Sequence, residues 1–338
     1  MKNYRKIFSF FTAVFLLAAS PVFSQEPPDI ENLKNAVNSF TNEMARAMPF
    51  NSTIGLNWSD AYIGQFLSVP PHFGIGLTVG ATTMKMSAIN GLLELFDADI
   101  PGSFSMGFPL PAYTVDARIG GFILPFDIGI KFGYLGSIDL YDSEIDYMLV
   151  GGDIRYALID SKILPFKLSV GLGFNHLRGG ISTTVGSGQS FSFEDPVTNE
   201  SYTLSISDPK VGLEWQTNTF ELKTQVSFPL FIITPYAGIG VSYAMSKAGY
   251  NINTKVNVTD EEGEDVKIND VVDLIKNLGG VTGVSENGIE SITDVNDWNF
   301  RFYGGISLNI VVIKLDLTAM YNFTGGNFGA TLGVRFQL

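Results

Sequence analysis

The chain has 338 residues, 45% hydrophobic and only 16% charged, with a formal net charge of −13 and no cysteine. The missing cysteine excludes disulfides, thiol chemistry and lipid attachment at a cysteine. The acidic balance speaks against nucleic acid as a partner.

The chain opens 1-MKNYRKIFSFFTAVFLLAASPVFSQE-26. A basic start (Lys2, Arg5, Lys6) leads into an apolar run from Ile7 to Ala19, and Val22 and Ser24 precede a cut ahead of Gln25. This reads as a signal peptide over 1–24, the run being shorter than the roughly 20 residues a membrane helix needs. Next, 29-DIENLKNAVNSFTNEMARAM-48 places Ile30, Leu33, Val37, Phe40, Met44 and Met48 at helical spacing. An amphipathic helical segment over 25–51 is expected.

From residue 52 to 338 the dominant pattern is alternation of period two, the signature of strands. In 126-FDIGIKFGY-134 one face is Phe126, Ile128, Ile130, Phe132 and Tyr134, and the other is Asp127, Gly129, Lys131 and Gly133. The pattern recurs at 72–82, 113–121, 147–157, 166–175, 219–228, 236–245, 298–308, 313–323 and 327–337. The stretch 53–69 alternates at first and breaks at Asp60, so it either adds a hairpin or does not. Strands of about 9–11 residues, with short turns at one end and long connections at 83–111, 176–218 and 246–297 at the other, predict an all-β fold. It is a closed antiparallel transmembrane β-barrel of 10–12 strands, with both chain ends on the short-turn side. The amphipathic helix would sit in the lumen of this barrel, beneath it or against another chain. Aromatics fall at two levels, Phe126, Tyr156, Phe166 and Phe228 among those near the short turns and Tyr134, Phe174, Tyr243 and Trp298 among those near the long loops, as interfacial girdles would.

The other face is charged. Asp116, Arg118, Asp127, Lys131, Asp153, Arg155, Lys167, Glu221, Lys223, Arg301, Lys314, Asp316 and Arg335 are expected to line the lumen, bases outnumbering acids. Inward glycines are expected to leave that lumen space. Two readings of the charges stay open: a constriction with mild anion preference, or an ion-paired network that stiffens the interior.

The tail 331-TLGVRFQL-338 resembles the carboxy-terminal signal of outer-membrane β-barrel proteins. Thr331, Gly333, Phe336 and Leu338 fit it, and Leu338 departs from the usual aromatic end. The resemblance implies a chain secreted through the inner membrane, recognised by the barrel-assembly machinery and housed in outer-membrane lipid.

The remaining motifs are weaker. Connection 83–111 is apolar, with Leu92, Leu93, Phe96, Phe104 and Phe108 suggesting a lid, or a site for hydrophobic compounds resembling that of fatty-acid transporters. Together with the helix of 29–48 it is expected to decide whether the barrel is open, the helix packing on these residues because its apolar stripe suits a charged wall poorly. The stretch 260-DEEGED-265 lacks the spacing of a Ca²⁺ loop, so no metal is expected, and 270–278 suggests a short helix. No phosphate loop appears, so no cofactor is expected. His72 and His176 are the two histidines, and neither sits in a nucleophile motif despite Ser182 and Asp208 nearby, so no enzyme is expected. The leading expectation is a passive channel or transporter for small solutes. The alternatives are a structural or adhesin-like surface-interaction barrel and a hydrophobic-compound transporter.

Overall fold

The computed structural model describes residues 30–95, 106–140, 143–160, 163–184, 189–194, 201–206, 210–253, 256–260, 265–266 and 289–338. In chain order the elements are α1 (Ile30–Asn51), β1 (Phe73–Met84), α2 (Met86–Leu95), β2 (Phe108–Gly120), β3 (Phe126–Leu140), β4 (Ser143–Asp160) and β5 (Lys167–Thr184). There follow β6 (Gln189–Glu194), β7 (Ser201–Ile206), β8 (Lys210–Ser227), β9 (Ile233–Asn253), β10 (Val256–Thr259), β11 (Asp265–Val266), β12 (Ile289–Ile310), β13 (Ile313–Asn322) and β14 (Asn327–Gln337). Ten of the strands close a barrel in the order β1-β14-β13-β12-β9-β8-β5-β4-β3-β2, and β11-β10-β7-β6 form a separate four-stranded sheet. Every barrel pairing is antiparallel, and β1 closes the ring by pairing with both β2 and β14.

Register sorts the two faces. Val115, Leu77, Val334, Leu315, Leu308 and Ile233 stand opposite one another across six strands. Leu77, Val115, Val334 and Leu308 are exposed, as are Ile130, Leu172 and Leu332. Exposed aliphatics on a closed ring without a free edge are what a lipid solvent demands, since every backbone polar group is paired within the wall. One step along, the row Asp116, Gly76, Arg335, Lys314 and Asn309 points inward.

The upper boundary of this belt is a row of rings. Phe174, Phe220, Tyr243 and Trp298 are successive cross-strand partners on β5, β8, β9 and β12. Phe174–Phe220 and Tyr243–Trp298 touch with ring centroids 5.0 and 5.2 Å apart. From Tyr243 down to Ile233 the strand spans about 33 Å, or a band roughly 25 Å tall at a tilt of about 40°. Past the belt, at the short-turn tips, Ile123, Ile163, Phe231 and Val311 are exposed.

Three expectations are corrected here. Residues 53–69 add no strand: the wall begins at Phe73, not 52, and has ten strands. The connections 176–218 and 246–297 are shorter than expected, because β5 reaches Thr184, β8 starts at Lys210, β9 reaches Asn253 and β12 starts at Ile289. Above the aromatic row the outside is water and the pattern inverts: Arg178, Glu214 and Gln216 are exposed outward while Leu177 and Leu213 are buried inward. The membrane-strand signature therefore stops where the membrane stops, although the wall continues. Connection 83–111 likewise holds α2 and the first turn of wall in β2. The wall starts and ends at the short turns, and the chain end ahead of Ile30 lies outside the described residues.

Candidate functional site

The lumen is filled by the chain that precedes the wall. α1 forms where the stripe was expected; the side chains of Ile30, Leu33 and Val37 lie outside the described residues, and Met44 and Met48, with Ala45 and Ala47, are buried against Leu110, Leu149, Leu177, Leu213 and Ala248 of the wall. Ile89 of α2, Met84 and Phe108 complete this cluster, with Phe40 at its edge. The helix was expected to fit a charged wall poorly. The part of the wall it meets is apolar, because the inward face changes character along the barrel. Side chains of Leu92 and Leu93, and all of Phe96, Phe104, Asp208 and 267–288, lie outside the described residues.

α1 ends where Ser52 donates its backbone N–H to the Met48 carbonyl (2.8 Å) and its hydroxyl to the Pro49 carbonyl (2.7 Å). Asn51 anchors that end to the wall, its amide nitrogen donating to Thr82 Oγ1 (3.0 Å) and the Leu110 carbonyl (2.8 Å). From here to Phe66 the chain is irregular, and buried without interruption from Ser52 to Ile63. Such a chain cannot satisfy its own backbone, and an unpaired buried N–H or C=O is costly.

The wall satisfies it. Lys131 Nζ donates to the carbonyls of Ser52 (2.7 Å) and Ile54 (2.6 Å). Arg155 Nη1 donates to the Asp60 carbonyl (2.7 Å), and Gln225 Nε2 to those of Trp58 (2.7 Å) and Ser59 (3.1 Å). In the other direction, Leu56 N–H donates to Asp116 (3.3 Å), Ala61 N–H to Ser227 Oγ (3.0 Å) and Ile63 N–H to Asp127 (3.2 Å). Side-chain anchors are fewer. Asp60 accepts from Lys314 (2.7 Å) and Arg335 (2.9 Å), and Asn57 accepts from Arg301 (3.2 Å). The Trp58 ring lies under the guanidinium groups of Arg118 and Arg335, 5.6 and 4.7 Å from its centroid.

Behind these contacts the wall charges pair with each other. Arg118 bridges Asp127 and Asp153, and Asp153 also takes Lys223 at 2.6 Å. Arg155 holds Asp127 (2.8 Å), Arg301 holds Glu221 (2.5 Å) and Arg335 holds Asp316 (3.1 Å). Asp116, which faces Lys131 across the β2–β3 pair, accepts from Thr78 (2.6 Å) and Thr114 (2.5 Å). Lys167 sits at the short-turn edge, near Asp160 (3.1 Å) and the Tyr62 carbonyl (3.3 Å). The charged residues expected on the inward face therefore meet protein partners, with Lys167 partly exposed at the short-turn edge.

The inward glycines were expected to leave space, and that expectation is corrected. A Cβ at Gly129 would stand 2.7 Å from Arg118, at Gly171 2.9 Å from Arg155, and at Gly74 2.9 Å from Trp58. The glycines make room that arginines and the plug occupy. Where Gly55 turns with φ +84°, a Cβ would collide with Thr114 Oγ1. Beside it remains a void of about 10 Å³, edged by Lys131, Glu221 and Lys223.

The four tail residues expected to act as an assembly signal lie at the seam. Thr331 and Gly333 on β14 face Gly80 and Thr78 of β1, Phe336 is exposed to lipid, and Leu338 N–H donates to the Phe73 carbonyl (3.0 Å). His72 Nδ1 meets the Leu338 oxygen at 3.1 Å, and His176 Nδ1 meets Asn218 Oδ1 at 2.8 Å, so both histidines hold structural partners. Among the described residues no group of three or more His, Asp or Glu is placed to hold a metal. Sequence reasoning missed the plug residues Ser52–Ile63. Their signal was the break in alternation at Asp60 between two glycines, Gly55 and Gly64.

A closed ten-stranded wall with a lipid-type outside, an aromatic row and an ion-paired interior defines an outer-membrane β-barrel. Residues 29–338 match the family described as Lsa36-like, and the chain belongs to that family. No curated relative matches. Solved structures similar to it include the outer membrane protease OmpT from Escherichia coli, at 10% identity and TM-score 0.39, covering 80% of this chain and 99% of that one. Ail, the attachment invasion locus protein of Yersinia pestis, matches at 8% identity and TM-score 0.28, covering 79% and 97%. The translocator domain of NalP from Neisseria meningitidis matches at 9% and 0.29, covering 90% and 97%.

Proposed function

We propose that this protein is a surface-interaction barrel, closed to solutes and acting through what it projects from the cell. The observation that carries this reading is the filled lumen: from Met44 to Ile63 the plug packs on the wall, with α2 against its outer end. What it projects is substantial. β9 continues ten residues past Tyr243, about 33 Å along the strand, and β12 runs beside it. Beyond them β7 pairs with β10, so the connections after β5 and β9 are joined in one sheet.

The test has two arms. Proteoliposomes holding the intact protein should not swell in small neutral or charged solutes, and swelling at porin-like rates rejects the reading. Replacing 189–206 with a short Gly-Ser linker should leave a folded barrel in the membrane and abolish adhesion of expressing cells to protein-coated surfaces. Adhesion unchanged by that excision also rejects it.

A gated channel for small solutes is the second reading. What favours it is that the lower plug is held through hydrogen bonds to its backbone, which water can replace once the plug moves. Transport of hydrophobic compounds would use the apolar cluster around Ile89 and Phe108 as its entry.

A further inference from the structure

We propose that the amino-terminal end of α1 stands on the cell-surface side of the membrane, so that the lumen is a conduit through which the chain sends its own amino-terminal end outward. The contacts form a ladder with one direction. On β12, Thr41 meets Thr293 (3.4 Å), Arg46 meets Asp297 (3.1 Å) and Asn57 meets Arg301 (3.2 Å). On β2, Asn51 meets Leu110 (2.8 Å), Leu56 meets Asp116 (3.3 Å), and Phe66 meets Gly121 just past its end (2.9 Å). Both strands run from the long-loop end to the short-turn end. Later residues of the plug therefore lie deeper, without exception.

The scale puts the start of α1 well outside. Thr293 is five residues above Trp298 of the aromatic row, already roughly 13 Å beyond the lipid belt at a 40° tilt. α1 continues back from Thr41 to Ile30, a further rise of about 16 Å at 1.5 Å per residue. Among the described residues the lumen holds paired charges and plug, with a void of about 10 Å³ beside Gly55.

The chemistry of the lower lumen suits this role. Its donors Lys131, Arg155 and Gln225 and its acceptors Asp116, Asp127 and Ser227 all engage plug backbone atoms. The ligand class is irregular polypeptide, recognised largely by its N–H and C=O groups, with Asn57, Trp58 and Asp60 adding side-chain anchors.

The chain has no cysteine, so single cysteines report location directly. Asn35 on α1 and Gln216 on the outer wall are exposed, as are Ile123 and Ile163 at the short-turn tips. Cells expressing each single-cysteine variant are treated with a membrane-impermeant maleimide, intact and after lysis. Asn35→Cys and Gln216→Cys should label equally in both, with a ratio near one, while Ile123→Cys and Ile163→Cys should label only after lysis. Asn35→Cys behaving like Ile123→Cys overturns the proposal. An epitope inserted directly ahead of Ile30 decides independently of the cysteine variants: antibody binding to intact cells supports the inference, and binding only after the membrane is breached overturns it.

Discussion

The upper and lower halves of the lumen hold one continuous segment by opposite means. In the upper half α1 is a helix, its backbone paired internally, and the wall facing it is Leu149, Leu177, Leu213 and Ala248. In the lower half the segment is irregular, and the wall facing it is Asp116, Asp127, Lys131, Arg155 and Gln225. The difference teaches that the inward chemistry of a barrel follows the backbone of what fills it. A self-satisfied helix needs only apolar area, while an unpaired chain needs donors and acceptors, and these bring their own counter-ions.

Perturbing each half should give different losses. The largest belongs to the lower half. Asp127→Ala leaves the buried Arg155 without a carboxylate, takes one of its two carboxylates from Arg118 and orphans the Ile63 N–H. About 3–5 kcal/mol of stability should be lost, read as a fall in urea midpoint for the barrel in micelles. A loss below that of an exposed charge would break the comparison. In the upper half the cost is a cavity without charge. Leu177→Ala, at a site with 0% exposure, should cost about 2–4 kcal/mol, with the same salt dependence as the parent.

Gly55→Ala probes the turn between the halves. Left-handed backbone and contact with Thr114 should cost about 1–3 kcal/mol and loosen the plug, seen as faster proteolysis after residue 51. The smallest effect is expected at Glu43, on α1 above the membrane. Burial raises its carboxyl pKa, with Lys85 and Arg46 opposing. A raised acid binds its proton more tightly when folded, so stability falls as pH rises from the unfolded pKa through the folded one. Glu43→Gln should therefore raise the thermal midpoint slightly at pH 7 and leave it unchanged at pH 3.

Much of this was legible in the sequence, for local reasons. Period-two alternation at 126–134 or 327–337 needs only a neighbour two residues away, and it located the wall and the inward charges. The plug was not legible because its hydrogen-bond partners are remote: Ser52 is held by Lys131, Asp60 by Lys314 and Arg335. No local pattern encodes a backbone satisfied by side chains that far along the chain. The strand extensions were missed for another reason. At Leu213 and Glu214 the apolar and polar faces exchange sides, and a reader tuned to lipid outside sees a loop.

Single-channel conductance tests the closed lumen most directly. The intact protein in a planar bilayer should insert without a steady ohmic current. Removing residues 30–66 should open a stable water-filled pore lined by Lys131, Arg155 and Lys223. A steady current through the intact protein, equal to that of the deletion, would contradict the account.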